Sequence, residues 1–382
     1  MRVALFSGNY NYLREGANQA LNRLVRYLEE VRGHEVRVYS PVTETPAFEP
    51  AGTLVPVPSI PLPVRSEFRL ALGLPRSIQR DVEQFAPDLV HVSTPDILNT
   101  RAQTFAKRLG VPVVASMHTR FEAYLGFYRL GWTRPLAEAH LNRFYRRSDH
   151  VLVPTPALAS DMRRMRGDNR VTVWSRGVDR ALFDPGRRDS AWRATAGFAD
   201  TDTVILFFGR LVPEKGIDMF VSVVGRLQGR GEAVRALVVG AGPARDAFRE
   251  LPAVVLTGHL EGEELAKAVA SADVLLHPST TETFGNVVLE AMACGLAVVA
   301  ADVPSARSIL EDGRYGVLCP ANEARHFEAV VLALAESPER RAKLGAAARD
   351  RSFAYSWDAA SASVERTYQN LRKGRPRQRC LS

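Results

Sequence analysis

Residues 274–300, VLLHPSTTETFGNVVLEAMACGLAVVA, decide the fold class of this chain. An apolar run, Val274–His277, is followed by a polar loop, by an apolar helical segment that begins near Gly285, and by a second apolar run, Ala297–Ala300. Strands that are apolar along their whole length are typical of parallel sheets with helices on both faces. The stretch therefore predicts a βαβ unit and an α/β protein.

The same alternation of short apolar runs and longer amphipathic stretches continues on both sides of that unit. One hydrophobic core usually divides beyond about 250 to 300 residues, so a chain of 382 residues predicts two domains. The segment Val55–Arg69 carries several prolines and predicts a loop with short extended pieces. The predicted strands are Arg2–Ser7, Glu35–Ser40, Leu89–Ser93, Val111–Met117, Val151–Pro154, Val204–Phe208, Ala236–Val239, Val254–Thr257, Val274–His277, Ala297–Ala300 and Gly316–Leu318.

A turn-rich, charged stretch from Phe183 to Ser190 has the composition of an exposed connection and marks the domain boundary. We expect an N-terminal domain at 1–182, a linker at 183–200 and a C-terminal domain at 201–360. Residues 361–382 are expected to form a C-terminal helix and a basic tail, which is predicted to be disordered from Lys373 onward.

Composition and charge exclude several classes of protein. The three cysteines show neither a zinc-type CxxC pair nor a disulfide framework, which favours a reducing, cytoplasmic compartment. No signal peptide or membrane span is recognisable, because the richest apolar stretch, Val287–Val303, is interrupted by Glu290. A net charge of +8 favours an anionic partner, which is a nucleic acid, an acidic lipid surface or a phosphorylated small molecule, unless the surface is simply basic.

Two carboxylates, Glu282 and Glu290, flank the predicted start of the helix near Gly285. Free N–H groups at a helix start can hold an oxyanion or a sugar hydroxyl, and a carboxylate further along can accept both hydroxyls of a ribose. For an isolated pair, a helix-terminal charge and a surface glutamate would be the simpler interpretation. The apolar residues around Glu290 argue for a partner, because an unpaired carboxylate there is costly.

A second signal follows the strand Val204–Phe208. Gly209 lets the backbone come close to a ligand, while Arg210 and Lys215 suit the oxygens of a pyrophosphate; a solvated cationic turn is the alternative. The glycine turn Val239–Pro243 is a weak signal by itself.

Together these residues resemble the family-4 retaining glycosyltransferases, and the resemblance covers nearly the whole chain. A narrower signature, Trp174–Asp179, resembles that of sulfoquinovosyl-diacylglycerol synthases and lipid mannosyltransferases. The segments that carry the wider resemblance are Arg14–Ala17, Pro87–His91, Met117–Thr119, Gly209–Arg210, Glu214–Gly216, Gly240–Pro243, Thr257–His259, and Glu282 with Glu290.

The resemblance implies the GT-B architecture, two Rossmann-like parallel-sheet domains facing across a cleft, and a UDP- or GDP-sugar donor. It implies a retaining hexosyltransferase that needs no metal and no other cofactor. The implied contacts are Glu290 with the ribose; Gly209, Arg210 and Lys215 with the diphosphate; Glu282 and the backbone of Phe284, Gly285, Asn286 and Val287 with the transferred sugar; Gly258, His259 and Leu260 with the base; Gly16 with the phosphates; and His118 with the sugar near its anomeric carbon. His118, Glu282, Arg210 and Lys215 would form the catalytic set.

Two positions depart from the family pattern. The loop at Gly16 has one glycine where many members have two, and Ser93 stands where a second histidine is common after His91. Without the resemblance, His118 would be interpreted as a packed histidine. Trp174 and Tyr124 are interpreted as core or interface aromatics.

The acceptor is predicted to be a lipid from the signature Trp174–Asp179, the excess positive charge, and the segments Pro61–Arg69 and Arg120–Trp132, which mix arginine with aromatic and apolar residues as interfacial surfaces do. For these two segments, ordinary loop and helix packing is the alternative interpretation. The function expected is thus transfer of a hexose or hexuronic-type sugar to a lipid at the cytosolic membrane surface, by a peripheral enzyme on the anionic inner face of the cell membrane. The alternatives are a soluble or polymer glycan acceptor and a nucleotide-sugar 2-epimerase of the same architecture. A non-catalytic nucleotide or nucleic-acid binder is disfavoured, because no zinc, helix-turn-helix or aromatic-basic motif is found, so no nucleic acid is expected as partner.

Overall fold

A computed structural model describes residues 1–62, 65–120 and 131–373, without the side chains of residues 65 and 66. These residues form two compact units. The first is built from residues 1–120, 132–176 and 357–373, and the second from residues 177–356. The predicted basic tail beyond Lys373, and the positions of Pro63, Val64 and Tyr124, lie outside the described residues.

The first unit contains a seven-stranded sheet in which every pairing is parallel, in the order β3-β2-β1-β6-β7-β8-β9. Its strands, with the separate pair β4 and β5, are β1 Arg2–Phe6, β2 Glu35–Ser40, β3 Thr53–Pro56, β4 Ile60–Leu62, β5 Arg65–Leu70, β6 Leu89–Val92, β7 Val113–Ser116, β8 His150–Val153 and β9 Val171–Val173. The helices before the second unit are α1 Gly16–Arg26, which continues as one π-helical turn at Tyr27–Val31, α2 Arg76–Phe85, α3 Ile97–Arg108, α4 Arg134–Arg147 and α5 Pro156–Arg166.

The second unit contains a six-stranded sheet, also parallel throughout, in the order β12-β11-β10-β13-β14-β15. Its strands are β10 Thr203–Phe208, β11 Val234–Val239, β12 Val254–Gly258, β13 Val274–His277, β14 Ala297–Ala301 and β15 Val317–Cys319. Its helices are α6 Ser190–Thr195, α7 Ile217–Gly229, α8 Gly262–Ala270, α9 Asn286–Ala293, α10 Pro304–Leu310, α11 Ala324–Ala335 and α12 Pro338–Ser352, and the chain returns to the first unit in α13 Trp357–Lys373.

Both faces of each sheet are covered, which explains why the strand sequences are apolar along their whole length. In β1, Ala4 and Phe6 belong to one hydrophobic core, while Val3 and Leu5 belong to the core on the opposite face. The strand β10 divides its side chains between two cores in the same way. Because side chains alternate along a strand, only a continuous apolar run fills both cores. The predicted α/β class with two parallel sheets is confirmed.

Two parts of the first sheet differ from the prediction. The strands β3 and β9 were not predicted, because both are short, partly exposed edge strands whose composition is mixed. The segment Val55–Arg69, predicted as a loop with short extended pieces, completes β3 and then forms the antiparallel pair β4 and β5. Arg69 stabilises this pair, because its Nε donates to Ser59 Oγ at 2.9 Å and its backbone N–H donates to the Tyr12 hydroxyl at 3.2 Å.

Residues 183–200, which the sequence assigns to a linker, are part of the second unit. Phe183 and Phe198 lie in its core, and Arg193 is buried with its guanidinium 3.2 Å from Asp273.

The helix α13, which the sequence treats as a C-terminal appendage, packs into the core of the first unit through Val364 and Tyr368. Among the described residues, no helix combines the length and the apolar character that crossing a membrane requires.

The strands β10 and β11 are each followed by a glycine, and there the two backbones approach closely. Gly209 N–H donates to Val239 O at 3.0 Å. A Cβ on Gly240, whose φ is +148°, would lie 1.8 Å from Gly209 O, and one on Gly242 would lie 2.3 Å from Leu211 O. No side chain fits at either position without moving backbone, so glycine is required here by space as well as by conformation.

We expect Gly240→Ala to lower the free energy of unfolding by about 3 kcal/mol or more, because backbone atoms must shift. The matched control is Gly231→Ala, which has a φ of +79° but meets no atom within 4 Å. It should cost only the conformational term of about 1 to 2 kcal/mol. Urea unfolding of both variants measures the difference, and equal losses would contradict the close approach.

Candidate functional site

The candidate site lies at the carboxyl ends of neighbouring strands in the second unit. Because β12, β11, β10 and β13 are adjacent in the sheet, the loops that follow them emerge side by side. Gly240 N–H donates to Gly258 O at 2.8 Å, and Leu211 N–H donates to Ala241 O at 2.9 Å. The loops that carry Gly209, Gly240 and Gly258 are therefore joined by their backbones.

The loop after β10 carries the two predicted cations and folds onto the loop after β13. Arg210 is exposed, and Lys215 ends a single 3₁₀ turn, Pro213–Lys215. The next residue, Gly216, has a φ of +76°, and a Cβ there would lie 2.8 Å from Pro278 O. This contact brings Lys215 beside the residues that follow β13.

Lys215 and Glu282 form an ion pair in which Lys215 Nζ donates to Glu282 Oε1. Their side chains are 19% and 17% exposed, so the pair is mostly shielded from water. Burial alone would raise the pKa of the Glu282 carboxyl, but the charge of Lys215, assisted by Arg210, lowers it below its ordinary value. The sequence gives these two residues separate roles, and the structure brings them into contact.

His277, the last residue of β13, completes this cluster and is not among the residues that the sequence analysis selected. Its Nε2 lies 3.7 Å from Glu282 Oε1, which is too far for a hydrogen bond, and that nitrogen is buried without a hydrogen-bond partner. Burial lowers the pKa of His277 to about 4, so the ring is neutral at physiological pH. Its position at the end of a strand, directly before the polar loop, is the signal that would have identified it.

Glu214 anchors the loop that carries Lys215. Its backbone oxygen accepts hydrogen bonds from Ser279 Oγ at 3.3 Å and Thr281 Oγ1 at 3.2 Å. Both hydroxyls come from the loop after β13, and all three residues are buried. These bonds hold the two loops together independently of the ion pair.

The helix α9 begins where the sequence predicts. Gly285, with a φ of +104°, precedes it, and the first N–H groups of a helix have no partner within the helix. The side chain of Val287 lies beside Gly209, with 3.9 Å between its Cγ1 and the position of a Cβ on that glycine. Phe284 is buried against Tyr355, with ring centroids 5.9 Å apart. The start of α9 is thus placed, through Val287, next to the glycine that follows β10.

Glu290 lies about a turn and a half inside α9 and is half-buried. Burial, together with the charge of Glu290, raises the pKa of the Cys294 thiol. In the loop after β12, His259 is exposed and its Nε2 lies 2.8 Å from Glu261 Oε1, while Leu260 is partly buried against the core of the second unit.

The two remaining predicted residues, Gly16 and His118, belong to the first unit. Gly16 is the exposed first residue of α1, after a loop that is fastened by Asn18 Nδ2 donating to Leu13 O at 2.9 Å. His118 follows β7 and is buried, and both of its ring nitrogens have protein partners, Ser116 Oγ at 2.8 Å and Arg176 Nη2 at 3.0 Å. Trp174 packs edge-on against it with ring centroids 5.3 Å apart.

Within the part of the chain that the structure describes, no three His, Cys, Asp or Glu side chains are grouped as metal ligands would be. The groups available at the carboxyl edge of the second sheet are instead two cations, two carboxylates, the start of α9 and three glycine turns. Such a set can bind an anion through Lys215 and Arg210 and polar hydroxyls through the carboxylates.

Comparisons with known proteins identify the family of this chain. Residues 14–182 match the model of "Glycosyltransferase Family 4", and residues 189–351 match that of "Glycosyl transferases group 1". The chain is 31% identical to a sulfoquinovosyl transferase of Arabidopsis thaliana, over 95% of this chain and 72% of that protein. It is 30% identical to a phosphatidyl-myo-inositol mannosyltransferase of Mycolicibacterium smegmatis, over 89% of this chain and 86% of that one. Among solved structures, sucrose-phosphate synthase from Thermosynechococcus elongatus superposes with a TM-score of 0.79 at 19% identity, over 98% of this chain and all of the other.

We expect Lys215→Met to destabilise the protein by about 2 kcal/mol at pH 7, because it leaves the Glu282 carboxylate buried without its cation. The double variant Lys215→Met/Glu282→Gln should recover most of that loss, because no charge is then left unpaired. Without Lys215, burial raises the pKa of Glu282, so the single variant should lose stability as the pH rises through that raised pKa. Chemical unfolding at pH 4.5 and pH 7 measures this double-mutant cycle, and equal stability of the single and double variants would contradict the pairing.

Proposed function

This chain belongs to the family-4, group 1 glycosyltransferases, and from that membership we propose that it transfers a hexose or hexuronic-type sugar from a UDP- or GDP-sugar to a lipid acceptor. It is a nucleotide-sugar-dependent enzyme of a retaining family, with the GT-B fold. The observation that supports the donor most directly is the clustering of Lys215, Glu282 and the start of α9 at the carboxyl edge of the second sheet.

In the proposed donor complex, Arg210 and Lys215 hold the diphosphate, and Gly209 allows its oxygens to approach the backbone. Glu290 accepts the two ribose hydroxyls. Glu282 and the backbone from Phe284 to Val287 hold the transferred sugar. Lys215 is held beside Glu282 by their ion pair, and a phosphate oxygen would become its second anionic partner.

In the same proposal, His259 and Leu260 beside Gly258 frame the nucleotide base, with the peptide groups of the loop after β12 available to its polar edge. Gly16, at the exposed start of α1, contributes N–H groups suited to phosphate. His118 lies at the sugar, near its anomeric carbon. These roles are inferred from the family resemblance of each segment. The backbone hydrogen bonds between the loops after β10, β11 and β12 would hold the donor-binding groups in fixed positions.

The lipid acceptor is supported by an exposed apolar and basic face on the first unit. Trp132 and Leu136 are 77% and 72% exposed. Trp132 lies in the 3₁₀ turn Gly131–Thr133, directly before α4. Leu136 and the exposed Arg143 lie within α4, seven residues apart, so these two share one side of the helix. Aromatic and aliphatic side chains beside arginine suit the interface of an anionic bilayer. One relative is named for transfer to a phosphatidyl-myo-inositol, which is a lipid of that kind.

We therefore propose that the enzyme works as a peripheral protein on the anionic cytosolic leaflet, with the first unit against the bilayer. Each basic residue near such a surface is worth about 1 kcal/mol, and salt weakens the attraction because the Debye length is only about 8 Å at physiological ionic strength. A soluble or polymer glycan acceptor is the alternative outcome of the experiment described below.

We expect Glu290→Gln to weaken the binding of free nucleoside diphosphate about tenfold or more, because a charge-assisted hydrogen bond to ribose is worth about 1.5 to 3 kcal/mol. Glu282→Gln is the matched variant. It removes a negative charge beside Lys215, so free nucleoside diphosphate should bind at least as tightly as in the wild type, while sugar transfer is lost. Isothermal titration with UDP and GDP distinguishes the two, and wild-type affinity in Glu290→Gln would refute the ribose assignment.

We expect the protein to sediment with anionic vesicles at low salt and to be released as salt rises, and Trp132→Ser/Leu136→Ser to weaken this binding at least tenfold. The control is Phe353→Ser, which removes a side chain 54% exposed on the second unit and should leave vesicle binding unchanged. Transfer assays with lipid and with soluble glycan acceptors accompany the binding series. If the protein ignores anionic vesicles and glycosylates only soluble glycans, the lipid proposal fails while the family assignment stands.

A further inference from the structure

A row of buried hydrogen bonds runs through the first unit from the C-terminal helix to His118. The Tyr368 hydroxyl lies 2.6 Å from His91 Nδ1, and His91 Nε2 lies 2.8 Å from Ser116 Oγ. The same Ser116 oxygen lies 2.8 Å from His118 Nε2, and Arg176 Nη2 lies 3.0 Å from His118 Nδ1. All five residues are buried, so the row is not maintained by solvent.

Arg176 determines where the proton of His118 resides. A guanidinium has only N–H donors, so Arg176 Nη2 donates and His118 Nδ1 must accept through its lone pair. A neutral imidazole with a lone pair on Nδ1 carries its hydrogen on Nε2. That N–H then donates to Ser116 Oγ, and both nitrogens of the ring are engaged.

Arg176 is itself held in place. Only 3% of it is exposed, and its Nη1 donates to Trp174 O at 3.0 Å. Its guanidinium carbon lies 5.0 Å from the centroid of the Trp174 ring, which also packs edge-on against His118. Burial lowers the pKa of Arg176 to about 10, so it remains a cation at physiological pH. The donor that faces His118 is therefore permanent.

A charged His118 does not fit these surroundings. Protonation would put an N–H on Nδ1 against the N–H of a guanidinium cation. Burial first, and then the charge of Arg176, lower the pKa of His118 well below its ordinary value. His91, the next titratable group in the row, is likewise kept neutral by burial, which lowers its pKa to about 3.

We propose that Arg176 is a positioning residue that holds His118 as the neutral Nε2–H tautomer, and that Tyr368 of helix α13 supports this arrangement through His91 and Ser116. The proposal rests on the proposed function in one respect, which is that His118 lies near the anomeric carbon. There the neutral ring would line the sugar site. It takes no proton from the acceptor, because its one lone pair is occupied by Arg176.

The arrangement also gives helix α13 a role in the site. Tyr368 belongs to α13, and its hydroxyl contacts a histidine that is 277 residues away in sequence. If the hydroxyl is lost, His91 is left with one ring nitrogen buried and unpaired, and the ring can turn. Ser116 then loses a fixed neighbour, and the orientation of His118 is less well defined.

The test is ¹⁵N NMR of protein labelled at histidine, with the His118 signals assigned by their disappearance in His118→Gln. We expect the wild type at pH 7 to show an unprotonated Nδ1 and a protonated Nε2 at this residue. Arg176→Met, which keeps length but no donor, should shift the tautomer ratio of His118. Arg176→Lys, which keeps a cationic donor, should restore the ratio of the wild type.

Transfer assays supply the second measurement. We expect Arg176→Met to lower kcat about tenfold with little change in the KM for the nucleotide sugar, and Tyr368→Phe to have a smaller effect of the same kind. Thermal unfolding of each variant checks that it is folded, and the wild-type spectrum tests the tautomer even if a variant does not fold. A protonated Nδ1 in the wild type, or an unchanged tautomer in a folded Arg176→Met, overturns the proposal. Because the spectra require no substrate, failure of the proposed transfer reaction would be recognised separately.

Discussion

The close approach of the backbone at the ends of β10 and β11 is the constraint on which the candidate site in the second unit depends. A Cβ at position 240 would lie 1.8 Å from Gly209 O, so only glycine allows this carbonyl oxygen to come so close. The loops after β10 and β11 can therefore pack closely against each other. Gly216 allows a similar close approach to Pro278, which lies in the loop after β13. Three loops from separate strands thus become one surface, and Lys215 and Glu282 meet although they are 67 residues apart.

The ion pair also determines what this surface can bind. A buried carboxylate is tolerated only with its cation, so neither Lys215 nor Glu282 is independent of the other. An anionic ligand at Lys215 would compete with Glu282 for its charge, and hydroxyl groups that donate to Glu282 would compensate the carboxylate. A nucleotide sugar brings both groups in one molecule, which is why the pair suits that class of ligand better than a free phosphate.

The sequence predicts the parts of the fold that depend on continuous apolar runs, and those parts are confirmed. It also predicts the start of α9, because Gly285 interrupts the pattern directly before it. It does not predict the edge strands β3 and β9, whose residues are partly exposed to solvent. Nor does it predict the contact of Lys215 with Glu282, the place of His277 or the row from Tyr368 to His118. Each of these features depends on residues from different strands and helices. The local hydrophobic pattern carries no information about which side chains of separate elements will meet.

The state of the two histidines bears on how a proton leaves the acceptor during transfer. A general base needs a free lone pair and a pKa near the working pH. His118 has its lone pair engaged by Arg176, and burial lowers the pKa of His277 to about 4, which makes its ring a weak base. Glu282 is tied to Lys215, and its lowered pKa makes it a weak base as well. In the proposed site, the group best suited to take the proton is therefore the departing phosphate of the donor, since its negative charge increases as the bond to the sugar breaks.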